Sequence, residues 1–204
     1  MEYSSDQDAA RAWCDGDDEA GEFLIRQHYD GVVRFFETKM RGDAGDLVQA
    51  TFLRAAEGRY RLRSAASFRS FLYGIARNVL FETIRERHRR DKHFKFDAAV
   101  TSAIDLNGGP STLARVRQEQ QTVLAAVQSL PMELQVVLEL TYWQELRGPE
   151  LAEVLEVPVG TVKSRLHRAR KLLKEQLERV AARQGMSEPL RQLSTEWVTV
   201  TPKD

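Results

Sequence analysis

One cysteine, Cys14, stands in the 204 residues. A lone thiol cannot staple the fold and leaves no thiol cluster for zinc, a pattern that suits a reducing compartment. Histidines are few: His28, His88, His93 and His167. They form no metal-ligand spacing, no nucleophile stands beside a base, and no paired carboxylates recur in a metal pattern. We therefore expect no enzyme, no metal and no cofactor. No apolar run approaches the ~20 residues that cross a bilayer. The N-terminal stretch MEYSSDQDAARAWCDGDDEAG is acidic, without a basic head and an apolar core. Neither membrane insertion nor a secretory signal is expected, and the expected location is the cytoplasm. Strand-like alternation is also scarce, limited to a brief WVTVT near the end, and no internal repeat of solenoid length is visible.

Net charge is missing too, since 30 Lys and Arg offset 30 Asp and Glu. The balance hides a pattern. Residues 1–53 hold 12 acids and 5 bases, and residues 59–95 hold 3 acids and 11 bases. Residues 96–158 hold 9 acids and 3 bases, and residues 159–174 hold 6 bases and no acid. Two separated basic blocks on acidic supports suggest two polyanion contacts, with two solvated helix faces as the other reading.

Helical periodicity dominates what is present. Phe23, Leu24, Tyr29, Val32, Val33, Phe35 and Phe36 make one broad apolar face. Asp46 is placed to cap a helix over DLVQATFLRAAEG, with Leu47, Val48, Ala50, Thr51 and Leu53 to one side and Gly58 at its end. After a basic loop, Ser67 is read as an N-cap. Phe68, Phe71, Leu72, Ile75, Ala76, Val79, Leu80 and Ile84 then recur at the spacing of a long buried helical stripe. Periodicity lapses after residue 90 and resumes after Asn107-Gly108-Gly109-Pro110, which reads as a linker. A helix from Ser111 or Thr112 breaks at Leu130-Pro131. A second runs from Met132 to about Gln144, a short one over PELAEVL, and a last one from Val159 to about Gln184. The expected architecture is all-α: two helical bundles joined by a flexible linker, with boundaries at 1–94, 95–111 and 112–184 and a tail over 185–204.

PELAEVL, a three-residue turn and VGTVKSRLHRAR fit a helix-turn-helix. Ala152 marks the close crossing, and Leu151, Leu155, Val157 and Val162 supply the apolar lock. Thr161, Lys163, Ser164, His167 and Arg168 then fall away from the lock. Short polar and long basic groups at the start of such a helix can reach base edges and phosphates in a major groove, and Arg170, Lys171 and Lys174 would add backbone attraction. A packing unit with a basic solvent face is the bland alternative.

LPMELQVVLELTYWQELRGPELAEVLEVPVGTVKSRLHRARKLLKEQL resembles region 4 of a bacterial sigma-70 family sigma factor of the extracytoplasmic-function (ECF) group. GDAGDLVQATFLRAAEGRYRLRSAASFRSFLYGIARNVLFETIRERHRR resembles region 2 of the same group. The two resemblances cover about residues 20–90 and 112–180, in the family's order. They imply a dissociable promoter-specificity subunit that binds core RNA polymerase. Region 4 would read the double-stranded −35 element, and region 2 would melt and read the single-stranded −10 element. The −35 positions would be Thr161, Lys163, Ser164, Arg165, His167 and Arg168. Asp46, Leu47, Gln49 and Phe52 match the family's contact with a coiled coil of the largest polymerase subunit. Family members are commonly held by an anti-sigma factor.

Unpaired bases call for aromatic stacking, a shaped pocket and a basic track. Tyr60, Arg61, Leu62, Arg63, Phe71, Tyr73, Arg77, Asn78, Phe81 and Arg85 offer these groups, with Asn78 at the family's base-contacting position. Core packing is an equal reading of Phe71 and Tyr73, because aromatics at helical spacing usually face a core. Three positions depart from the family pattern: Glu156 where Gly is frequent in the turn, Gly74 where a base is common, and Phe71 for a common Trp. A left-handed backbone at Glu156 would be strained by about 1 kcal/mol. A helix-turn-helix regulator working without polymerase is the rival function. DLVQATFLRA and the long FRSFLYGIARN helix argue against it, because such a regulator needs neither.

Overall fold

The computed structural model describes residues 3–40, 42, 44–62, 68–90 and 122–184. The described elements are helices: α1 (Asp6–Cys14), α2 (Asp18–Glu37), α3 (Ala44–Glu57), a short 3-10 turn (Arg59–Arg61), α4 (Phe68–Arg90), α5 over residues 122–128, α6 (Met132–Tyr142), α7 (Gly148–Leu155) and α8 (Val159–Gln184). Among the described residues there is no strand. The linker expected at 95–111, the tail at 185–204, the Ser67 cap and the start of the helix near Ser111 lie outside the described residues.

The first bundle packs α1 on α2 and sets α3 against both α2 and α4. Asp17 caps α2 by accepting from the Glu19 and Ala20 amides at 3.0 and 3.2 Å, which satisfies two of the donors that every helix N-terminus leaves open. Leu24, Val32, Phe35 and Phe36 of α2 are fully buried. They meet Leu47, Val48 and Ala55 of α3 and Phe68, Leu72, Ala76, Val79 and Leu80 of α4 in the core. The expected α4 stripe is therefore found, with Phe71, Ile75 and Ile84 at its half-buried margin.

Three expectations are corrected. Asp46 lies inside the first turn of α3, which starts at Ala44, so it is not the cap. Leu53 is 58% exposed: the buried α3 residues Leu47, Val48, Thr51 and Ala55 define a stripe at i, i+1, i+4 and i+8, and position 53 falls opposite it. Tyr29 is half exposed rather than part of the apolar face of α2. Helix α1 had no counterpart in the sequence reading. It is anchored by the Trp13 indole against Gly21 and by an edge-on contact of Trp13 with Phe68, centroids 6.0 Å apart.

The second bundle packs α6 and α7 on α8. Val162, Leu166, Ala169, Leu173 and Leu177 form the buried stripe of α8, at i, i+4, i+7, i+11 and i+15. Helix α6 is buried all round, from Leu134 to Leu140, including Gln135 and Glu139. A helix covered on every side has two partners. One is α8; the other is the first bundle, whose Thr38 and Lys39 meet Glu139. Helix α4 also lies against α7.

Candidate nucleic-acid interface

Helices α7 and α8 meet through a tight turn. Pro149 sits in the first turn of α7, and the Arg147 amide donates to the Glu150 carboxylate at 2.7 Å across that turn. The turn closes on Glu156, whose φ of 54° and ψ of 42° are left-handed, and the Val157 amide donates to the Ala152 carbonyl at 3.1 Å. The strain anticipated for this position is present. The Pro158 carbonyl then accepts from the Thr161 and Val162 amides and launches α8. Leu151, Leu155 and Val162 are buried as expected of the lock, with Val157 and Ala152 half-buried beside them.

Opposite the α8 stripe, Lys163, Ser164, His167, Arg168 and Lys171 are exposed on one face, with Thr161 at its edge. Six bases and no acid between 159 and 174 make that face an electrostatic footprint for a polyanion. Two of its bases are partly engaged within the bundle. Arg165 pairs with Glu133 at 3.5 Å, and Arg170 donates to the Tyr142 hydroxyl at 2.7 Å while its guanidinium lies over the same ring. Both contacts hold α8 against α6.

The first bundle carries a second basic and aromatic surface. Tyr73, Arg77, Phe81 and Arg85 follow one another at four-residue steps along α4, with Asn78 beside Arg77. The Arg77 guanidinium lies over the Phe81 ring at 5.4 Å and donates to the Asn78 side-chain oxygen at 3.1 Å. Asn78 and Arg85 are exposed, and Phe81 and Arg77 are half-buried. Beyond α3, Tyr60 is 71% exposed beneath the Arg59 guanidinium, Arg61 is exposed and Leu62 half-buried. Arg63 lies outside the described residues. Phe71 is half-buried, with its ring near Gly58 at the end of α3.

Of the two readings of Tyr73, core packing is the one found. Tyr73 is fully buried, against Phe35 and under the second bundle, and its hydroxyl donates to Gln144 Oε1 at 2.5 Å. Burial, with the Glu139 charge second, pushes the phenol well above its ordinary pKa. The stripe on α4 therefore begins under the second bundle and ends in solvent.

A third surface lies on α3. Asp46 and Gln49 are exposed and Phe52 is half-buried, whereas Leu47 is 7% exposed and serves the core. Leu53 and Tyr29, which the sequence reading placed in the core, join this surface; Tyr29 stacks on Phe52 with centroids 6.1 Å apart.

Comparison with known proteins agrees with the geometry. The family model "Sigma-70 region 2" matches residues 24–90, and "Sigma-70, region 4" matches residues 120–173. The chain is 30% identical over 140 residues to the RNA polymerase sigma factor HrpL of Pseudomonas syringae pv. syringae, covering 69% of this chain and 76% of that one. It is 27% identical over 170 residues to the ECF RNA polymerase sigma-E factor of Escherichia coli K12, covering 80% and 89% of the two chains.

The chain belongs to the sigma-70 family, in its ECF group.

It accordingly serves promoter-specific initiation of transcription by RNA polymerase. Two solved structures share the fold. CnrH in complex with the cytosolic domain of CnrY has a TM-score of 0.60 at 22% identity, covering 85% of this chain and 97% of that one. The sigma factor RpoE in complex with the anti-sigma factor NepR, from Bartonella quintana, has a TM-score of 0.61 at 22% identity, covering 77% and 96%. In this sigma factor α1 lies before the region 2 match, and α8 continues past the region 4 match.

The contacts between the two regions have no counterpart in the sequence analysis. The Lys39 side chain is buried and ion-paired with Glu139, which also accepts from the Thr38 hydroxyl at 3.1 Å. Gln128 donates to the Thr38 carbonyl at 2.9 Å. Burial drives the Lys39 pKa down, against the pull of Glu139. Polar residues set in the otherwise apolar α6 are the one signal the sequence offered.

Proposed function

We propose that this sigma factor divides its work among the three surfaces. The exposed face of α8 reads the −35 element through Lys163, Ser164 and Arg168, with Thr161 and His167 at its edges and Arg165 as a tether that also favours the backbone. The α4 stripe and Tyr60-Arg61-Leu62-Arg63 hold the opened −10 strand by stacking and a basic track. Asn78 offers a base edge two donors and one acceptor. Asp46, Gln49 and Phe52, joined by Leu53 and Tyr29, dock on core polymerase, and Leu47 supports them from the core. The observation that carries this reading is the separation of the basic faces: each bundle presents one, opposite its own buried stripe.

The working units are residues 1–94 and 112–184, joined by 95–111 and followed by a tail over 185–204. The chain acts as a specificity subunit rather than an enzyme and works in the bacterial cytoplasm beside polymerase. Among the described residues no helix is long and apolar enough to cross a membrane. The anti-sigma partner of the Bartonella relative supports a similar protein regulator for this chain.

Run-off transcription with core polymerase on a library of genomic fragments, followed by mapping of the start sites, tests the reading. Starts sharing paired −35 and −10 elements are expected. Absence of any association with core polymerase would favour the regulator that acts by its helix-turn-helix alone.

A further inference from the structure

After α3 the 3-10 turn Arg59–Arg61 is held at several points. Within it the Arg61 amide donates to the Gly58 carbonyl at 2.8 Å, and the Leu62 amide to the Arg59 carbonyl at 3.1 Å. Gly58 lets the chain leave α3 close to the Phe71 ring. A Cβ there would lie 3.0 Å from the Arg54 carbonyl oxygen and 3.4 Å from that ring. Helix α1 adds a hold from outside: the Cys14 thiol donates to the Arg59 carbonyl at 3.4 Å, and Trp13 meets Phe68 at the start of α4.

The backbone is thus fixed, yet Tyr60 stands 71% exposed. An exposed tyrosine on its own samples several rotamers and gives them up when it takes hold of a base. Arg59 removes that freedom in advance. Its guanidinium lies over the Tyr60 ring at 4.9 Å, and its Nη2 donates to the Tyr60 hydroxyl at 2.8 Å. The Arg59 side chain is itself only 23% exposed, and Asp18 of α2 draws its Nη1 from 3.6 Å. The Arg59 Nε–H is buried without a hydrogen-bond partner. An arginine released from the ring would hydrate that donor, so the pose over Tyr60 is costly, and its contacts with the ring and with Asp18 offset the cost.

We propose that Arg59 is a positioning residue for −10 reading: it backs one face of Tyr60 and leaves the other, already oriented, for an unpaired base. The bound arrangement is a sandwich in which the guanidinium holds the phenol ring and the ring holds the base. Arg59 touches no DNA in this role. The elbow between α1 and α2, which precedes the region 2 match, takes part in promoter reading through Cys14 and Asp18. This role rests on the placing of Tyr60 at the −10 strand.

The test uses holoenzyme reconstituted from core polymerase and the full chain. The probe is a fluorescent single strand covering the −10 element of a start site mapped by run-off transcription, and binding is read by anisotropy. Tyr60 is exposed and Arg59 lies outside the core, so neither change threatens the fold. Tyr60→Ala should weaken binding by about tenfold, as loss of a stacked base does. Arg59→Lys keeps the charge but cannot cover the ring and bond its hydroxyl together. It should weaken binding by about threefold to fivefold while the salt dependence stays that of the parent. In the Tyr60→Ala background the same change should alter binding by less than about 1.5-fold, because Arg59 acts only through the ring. Equal losses from Arg59→Lys in the two backgrounds would mean that Arg59 meets the DNA itself, and would overturn the positioning role. So would full binding by Arg59→Lys where Tyr60→Ala is impaired. Full binding by Tyr60→Ala would instead remove Tyr60 from the −10 site, and the role of Arg59 with it.

Discussion

Glu156 and Asp6 show how much single side chains decide here. At a φ of 54°, Glu156 holds a backbone shape that costs an L-residue about 1–2 kcal/mol and glycine little. Its pairing with Arg77 is 71% exposed on the Glu side, and such pairs return about 0–1 kcal/mol. Glu156→Gly should therefore raise stability by about 0.5–1 kcal/mol in chemical denaturation. Glu145→Gly, at a φ of 51°, relieves the same strain away from Arg77 and separates the backbone effect from the ion pair. Asp6 works through its charge. His28 Nε2 donates to its carboxylate at 2.7 Å, and this bond first of all holds the Asp6 pKa below the ordinary carboxylate value. A folded pKa below the unfolded one gives stability that is complete above about pH 4 and is lost as the pH falls through the folded value. The denaturation midpoint of the parent should drop more steeply below pH 4 than that of Asp6→Asn, whose residue 6 no longer titrates.

At the scale of elements, the long amphipathic helices were legible because their apolar spacing is set by their own core. The α4 stripe and the span of α8 from Val159 to Gln184 came straight from periodicity. Helix α1 did not, because its nine residues bury only Ala9, Ala10 and Trp13, and its register depends on Gly21 of the next helix. Gly21→Ala would drive a methyl into the Trp13 indole. It should cost about 1–3 kcal/mol in denaturation experiments, the usual penalty of overpacking. Tyr73 was left open between base stacking and core packing for a related reason: its partner Gln144 lies 71 positions away, and no local spacing encodes that contact. The exposed basic face of α8 was legible because the buried stripe of that helix leaves a single exposed face. Arg168→Ala should weaken −35 recognition by about 1–3 kcal/mol, selectively among promoter sequences, as loss of a bidentate base contact does. Transcription from promoters differing at single −35 positions measures it, and an unchanged preference would remove Arg168 from the readers.

For the whole molecule, neutrality is an arrangement rather than an absence of charge. Acidic blocks flank two basic faces, and α3 presents a different kind of surface, in which Asp46 and Gln49 border the half-buried Phe52, stacked Tyr29 and exposed Leu53. An exposed leucine beside a stacked aromatic pair is unusual on a soluble face and suits the centre of a protein contact better than a polyanion site. Leu53→Asp should abolish most core polymerase binding, and Gln49→Ala should weaken it less, because the apolar centre of such a contact carries more energy than its polar margin. Both positions are exposed, so stability should change by no more than about 0.5 kcal/mol. The remote α8 face should keep its affinity for −35 duplex, measured on the same variants by fluorescence anisotropy. Parallel loss of polymerase and duplex binding would mean instead that α3 had unfolded the chain. Loss of polymerase binding alone would separate the surface that recruits the enzyme from the two that choose the promoter.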